Sequence, residues 1–165
     1  MSREPSKHNI PTILLVDDEE MVLTSIKSFF AIESDYSLLT YTSPVQALAD
    51  LEQTPRSIDL VISDYLMPEM DGLTFLSKVK ERFPLVPRIL LTGYADKKNA
   101  INAINNVGLY QYIEKPWDNG NLRLVVRNGL EKTLLLRQLQ NKILEAERTQ
   151  RELSDVHKDV MRAFA

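Results

Sequence analysis

Four short strand-like runs in this sequence, three of them mainly aliphatic, each lead into a residue able to handle charge or phosphate. Ile13-Leu14-Leu15-Val16 is followed by Asp17 and Asp18, and Leu60-Val61-Ile62-Ser63 by Asp64. Ile89-Leu90-Leu91 runs into Thr92, and Tyr112-Ile113-Glu114 into Lys115. Carboxylates brought together repel one another, and the repulsion raises their pKa values. A hard divalent cation relieves it, and oxygen-only ligands suit Mg²⁺, with Mn²⁺ as the alternative ion. A lysine adds a second positive charge. A threonine hydroxyl offers a hydrogen bond to a phosphoryl oxygen. Together the parts suit phosphoryl transfer to a carboxylate. Each part alone also has an ordinary reading. Asp17 and Asp18 favour a helix N-terminus, Asp64 can cap a helix, Thr92 can bond backbone, and Lys115 can be a surface lysine. The chemical reading rests on all five occurring together.

These residues meet only if the intervening elements align the runs. Residues 12–16 read as a buried parallel strand. Acidic residues 17–20 then suit the first turn of a helix, in which Met21, Val22, Ile26, Phe29 and Phe30 follow helical spacing. Residues 36–41 suit a second strand. Ser43-Pro44 suits an N-cap with proline at the first helical position. Residues 58–63 form a third strand, and Met67 to Gly72 a loop by its proline and glycine. Leu73, Leu76, Val79 and Phe83 share one face of the next helix. Residues 88–92 form a fourth strand, and 96–106 a helix with Ala100, Ile101 and Ile104 inward. Gly108 closes that helix. Residues 109–113 form the fifth strand, and a long helical pattern starts near Asp118. Alternating strands and helices imply βαβ units, a parallel sheet and a ligand site beyond the carboxyl ends of the strands.

Composition narrows the classes further. The chain has 165 residues, enough for one domain with an appendage. It has no cysteine, which excludes disulfides, cysteine nucleophiles and thiolate metal sites. Its two histidines, His8 and His157, are too far apart in sequence to suggest a histidine metal centre. No apolar run approaches a membrane span, and residues 1–11 lack a signal-peptide core, so a cytoplasmic location is expected. Residues 1–120 hold 11 Lys and Arg against 17 Asp and Glu, whereas residues 121–165 hold 9 against 6. An acidic body argues against direct nucleic-acid binding, and the mixed signs of the tail suit a solvated helix.

The runs themselves carry a resemblance. Leu14-Leu15-Val16-Asp17-Asp18-Glu19, Ser63-Asp64-Tyr65-Leu66-Met67-Pro68-Glu69-Met70-Asp71-Gly72, Leu91-Thr92-Gly93-Tyr94 and Tyr112-Ile113-Glu114-Lys115-Pro116-Trp117 together resemble the receiver domain of two-component response regulators. The resemblance covers about residues 10–130. It implies a flavodoxin-like (βα)5 doubly wound parallel sheet of strand order 2-1-3-4-5, with an extended C-terminal helix. It gives a receiver domain at 10–130, while the prolines and the lack of a periodic pattern in residues 1–11 make 1–9 a flexible leader and the long helical pattern makes 131–165 a coiled-coil linker. It casts Asp64 as phospho-acceptor, with Asp17, Asp18, Asp64 and the Leu66 carbonyl holding Mg²⁺. Lys115 would contact the phosphoryl group, Thr92 would move to bond it, and Tyr112 would be the aromatic switch. The Lys115–Pro116 peptide is expected to be cis. Leu66, Gly93 and Tyr94 would modulate the site: Gly93 leaves room for the donor, while Leu66 and Tyr94 hinder an attacking water and slow hydrolysis. The implied partner is a histidine kinase or phosphotransfer protein. The chain would catalyse only its own Mg-dependent phosphorylation and dephosphorylation.

The tail exceeds an ordinary final helix. With Leu136, Ile143, Gln150, His157 and Phe164 at position a, Leu139, Ala146, Leu153 and Val160 fall at d. Lys142 at g then faces Glu147 at e in a parallel homodimer. Val156 can replace His157 in the seam, so the register past Gln150 stays open. A single helix folded back on its own domain is the other reading. The helical pattern persists to Ala165, so a C-terminal output domain is expected in the parent protein, with the helix itself as the output the other reading. Two further functions compete. An aspartyl-phosphate hydrolase would want an acid two positions after the nucleophile, where Leu66 stands. A phosphate-independent coiled-coil adaptor would not need Asp64, Thr92 and Lys115 together.

Overall fold

The computed structural model describes residues 10–33, 35–54 and 57–164. Its strands are β1 (Thr12–Val16), β2 (Ser37–Tyr41), β3 (Leu60–Asp64), β4 (Arg88–Thr92) and β5 (Gln111–Glu114). Helices α1 (Glu20–Glu33), α2 (Pro44–Gln53), α3 (Gly72–Arg82), α4 (Lys97–Asn106) and α5 (Asn119–Ala163) alternate with them, and a 3₁₀ turn, Tyr94–Asp96, precedes α4. All pairings are parallel, in the order β2-β1-β3-β4-β5. This is the flavodoxin-like order that the sequence implies.

A sheet covered on both faces must be apolar on both, and β1 shows how. Ile13 and Leu15 point into one core layer with Leu23, Ile26 and Phe30 of α1 and Leu122 and Val126 of α5. Leu14 and Val16 point into the other, with Ala47 and Leu51 of α2 and Phe75, Leu76 and Val79 of α3. Ser43 caps α2, its hydroxyl accepting from the Gln46 N–H at 3.2 Å, with Pro44 in the first turn. Asp71 caps α3 in the same way through the Thr74 N–H at 2.7 Å. The compact body runs through Thr133, where the Thr133 hydroxyl donates to the Asp59 carbonyl at 2.9 Å.

The differences from the sequence reading are local. Met21 is 84% exposed, because α1 turns Leu23, Ile26 and Phe30 inward and Met21 lies off that stripe. Ile101 is also exposed, because α4 presents Ala100 and Ile104 to the core. The acidic residues 17–19 precede α1 rather than forming its first turn. Strand β3 starts two residues later than the apolar pattern, although Ile58 is buried, and it includes Asp64. Strand β5 starts at Gln111, because Gly108 turns with φ +71° and Leu109 and Tyr110 complete the approach.

One glycine ties the fold to the site. A Cβ on Gly72 would overlap the carbonyl of Asp64, while the Gly72 N–H donates to the Tyr65 carbonyl at 2.7 Å. Helix α3 therefore seats directly against the end of β3. Gly72→Ala is expected to cost about 2–4 kcal/mol, since the atom it would meet is backbone and cannot yield. Urea unfolding checks this; an unchanged midpoint would contradict the close seating.

Candidate functional site

Register alone brings the polar residues to one edge. Val16 pairs with Ser63, so Asp17 and Asp64 follow at the same level on adjacent strands. Thr92 pairs with Glu114, so Lys115 follows one step beyond. The Lys115 N–H donates to the Thr92 carbonyl at 2.7 Å, which prolongs the ladder past β5. The Lys115–Pro116 peptide is cis. Strand order reverses beside β1, where β1 meets β3, and such a switch point opens a crevice at the carboxyl ends.

The Lys115 Nζ lies 3.0 Å from Asp17 Oδ2 and 3.1 Å from Asp64 Oδ1. Asp17 is fully buried and Asp64 nearly so, while Asp18 is exposed. Carboxylate oxygens of Asp17, Asp18 and Asp64 lie within 4.8 Å of one another. Two backbone groups steady the acids: the Tyr65 N–H donates to Asp64 Oδ1 and the Glu19 N–H to Asp17 Oδ1, each at 2.9 Å. Thr92 is buried at the end of β4, and its hydroxyl has no hydrogen-bond partner. Such an orphan is costly unless something else fills it.

The charges do not balance within this cluster. Burial, and then the Asp17 charge, raise the Asp64 pKa from 3.8 to about 6, although Lys115 and the Tyr65 N–H pull the other way. Burial also opposes the Lys115 ammonium, but its bonds to Asp17 and Asp64 outweigh that and hold its pKa above the ordinary value. One ammonium thus serves two buried carboxylates with a third beside them. An oxygen-donor set with excess negative charge fits a hard divalent cation.

The remaining sequence candidates surround this centre. Leu66 is 62% exposed in the loop after β3. Gly93 precedes the 3₁₀ turn, and a Cβ there would still be 3.6 Å from Asp96 Oδ2, so the position is open. The Tyr94 side chain lies outside the described ones. Tyr112 is half-buried on β5, packed against the layer that holds α4. Two positioning residues escape a reading by residue type. Tyr65 acts through its backbone N–H, and Gly72 by lacking a side chain; the Asp71-Gly72 pair marks only a turn in the sequence.

The match to known proteins agrees with this geometry. The family model for the response regulator receiver domain matches residues 13–127. The chain belongs to that family. The hydrogenase transcriptional regulatory protein HoxA of Cupriavidus necator is 36% identical over 73% of this chain and 24% of its own length. A putative NtrX-like response regulator of Rickettsia bellii is 35% identical over 81% of this chain and 28% of its own length. The chain therefore spans about a quarter of these curated relatives. Among solved structures, the signal receiver domain of an HD domain-containing protein from Pseudomonas fluorescens matches with a TM-score of 0.69 and 39% identity, over 76% of this chain and 98% of that one. NtrX from Brucella abortus matches with a TM-score of 0.72 and 29% identity, over 80% of this chain and 30% of that one. Among the described residues, no helix of this receiver is long and apolar enough to cross a membrane.

The raised Asp64 pKa has a consequence for stability. A carboxyl group with a higher pKa in the fold than in the unfolded chain favours the fold when protonated. That contribution is full below pH 3.8 and fades as pH rises to about 6. Asp64→Asn removes the buried charge and keeps an acceptor for the Tyr65 N–H. In chelator at pH 7.5 it is expected to stabilise the chain by about 1–3 kcal/mol, with the gain vanishing below pH 4. Urea unfolding at both pH values checks this; a destabilised variant at pH 7.5 would contradict the electrostatic reading.

Proposed function

We propose that this receiver accepts a phosphoryl group on Asp64 from a phosphohistidine of a partner kinase or phosphotransfer protein. The observation that carries the reading is the convergence of Asp64 with Asp17 and Lys115 at the β1–β3 switch point. An Asp64 carboxylate oxygen attacks phosphorus, and the donor's nitrogen–phosphorus bond breaks as the oxygen–phosphorus bond forms. Lys115, already 3.1 Å from Asp64 Oδ1, meets the charge of the transferred group. Asp17, Asp18, Asp64 and the Leu66 carbonyl would hold Mg²⁺, which supplies charge neutralisation at the phosphoryl oxygens.

The phosphoryl group brings a charge of about −1.5 to −2 and strong acceptor oxygens. The orphaned Thr92 hydroxyl supplies a donor for one of them. Its movement opens space on the side of the sheet where Tyr112 packs, and Tyr112 turns inward. Phosphate acts by favouring this arrangement over the resting one. The altered surface passes the signal to the C-terminal helix, which pairs with that of a second copy and leads to an output domain outside this chain. The reading is of a signalling module that catalyses only its own phosphorylation and dephosphorylation. Leu66 and Tyr94, by their apolar and aromatic character, favour a slowly hydrolysed phospho-form.

Incubation with acetyl phosphate and intact-mass measurement tests this reading. One added phosphoryl group is expected in Mg²⁺, none in chelator and none in Asp64→Asn. A folded wild-type chain that takes no phosphoryl group would favour the phosphate-independent adaptor. Thr92→Val tests the relay separately. Removing the unpartnered hydroxyl is expected to raise the stability of the resting chain by about 1 kcal/mol. It should also abolish the phosphorylation-linked change in the Tyr112 ring signals by NMR. A full Tyr112 response in the variant would remove Thr92 from the relay.

A further inference from the structure

The distal part of α5, residues 134–163, leaves Leu139, Ile143, Leu153, Val156 and Val160 exposed. An apolar stripe of this length on a helix is a surface that needs a cover. The homodimer proposed above supplies one, and the present inference rests on that reading. It concerns which residues of the two tails face each other.

Leu139, Ala146, Leu153 and Val160 recur every seven residues and form a column common to any seam. Two other columns compete to complete it. One holds Leu136, Ile143, Gln150 and His157; the other holds Leu135, Lys142, Thr149, Val156 and Ala163. Up to Ala146 the first column is apolar, and the second contains Lys142. Beyond Ala146 the first column offers Gln150, His157 and, at its end, Phe164, and the second offers Thr149, Val156 and Ala163, so between residues 149 and 160 the less polar residues lie in the second and the preference inverts.

Charge points the same way. In a parallel pair, a residue on one flank faces the residue five positions later on the other helix. Before the inversion, Lys142 faces Glu147 of the second copy. With the inversion, Glu145, Glu152 and Asp159 form one flank and Gln150, His157 and Phe164 the other. Glu152 then faces His157 of the second copy, whose imidazole N–H can donate to the carboxylate. Without the inversion His157 enters the seam, and Glu152 lies away from it.

We propose that two copies of this chain pair in parallel through a seam that changes column after Ala146. The seam runs through Leu136, Leu139, Ile143 and Ala146, then through Thr149, Leu153, Val156, Val160 and Ala163, with Glu152 set against His157 of the second copy. The two successive three-residue steps, 143 to 146 to 149, overwind the pair locally. At about 100° per residue, the contact face turns by about 50° there.

The chain has no cysteine, so single substitutions report directly on proximity. Ile143→Cys, Val156→Cys and His157→Cys are made in the full chain, with Arg148→Cys as an outward-facing background. Disulfide-linked dimer is followed under mild oxidation. Ile143→Cys is expected to cross-link well above background, and Val156→Cys at least about five-fold faster than His157→Cys. If Ile143→Cys stays at background, the parallel homodimer itself fails, and this inference with it. If Ile143→Cys cross-links but His157→Cys matches or exceeds Val156→Cys, the dimer stands and the change of column is wrong.

Discussion

The Lys115 ammonium, held between Asp17 and Asp64, is the contact on which the site depends. It joins the end of β5 to the ends of β1 and β3, so it links strands that are not neighbours in the sheet. It offsets part of the repulsion between two buried carboxylates but cannot cancel it. Burial, and then that repulsion, raise the Asp64 pKa, while burial opposes the Lys115 ammonium and its bonds to both carboxylates outweigh it. A resting site of this kind stores unfavourable charge. Positive charge, or a group that recruits hydrogen-bond donors, relieves it. The unpartnered Thr92 hydroxyl is the second unmet demand at the same edge.

The rest of the fold provides the rigidity that such crowding requires. The five parallel strands are buried on both faces, and their register fixes Asp17 beside Asp64 and Thr92 one step before Lys115. Gly72 lets α3 close against the Asp64 carbonyl, which limits how far β3 can retreat from the repulsion. Tyr65 adds a backbone hydrogen bond to the same carboxylate. The crowded charges thus sit on a close-packed sheet that yields little to their repulsion.

Much of this was legible in the sequence because the runs that build the sheet also end in the site residues. Short apolar runs located the strands, and the strand ends located Asp17, Asp64, Thr92 and Lys115. The family resemblance added strand order and the cis Lys115–Pro116 bond, which no local pattern contains. Met21 and Ile101 were misplaced because an apolar residue one position off a helical stripe looks the same in sequence as one on it. Gly72 and the Tyr65 N–H were not legible, since their parts are played by a missing side chain and by backbone. Arg88 is similar: its guanidinium is buried and bonded to the carbonyls of Pro84, Val86 and Gly108, an arrangement that an arginine at a strand start does not signal.

Phosphorylation as proposed places a covalent bond on one carboxylate, and that position can be read chemically. An acyl phosphate is reduced by borohydride to the alcohol, whereas a free carboxylate is not. The phosphorylated chain is therefore reduced and its peptides mapped by mass. Homoserine is expected at position 64, with aspartate retained at 17 and 18. Reduction at any other acidic residue, or none in a chain shown to carry phosphate, would contradict Asp64 as the phospho-acceptor.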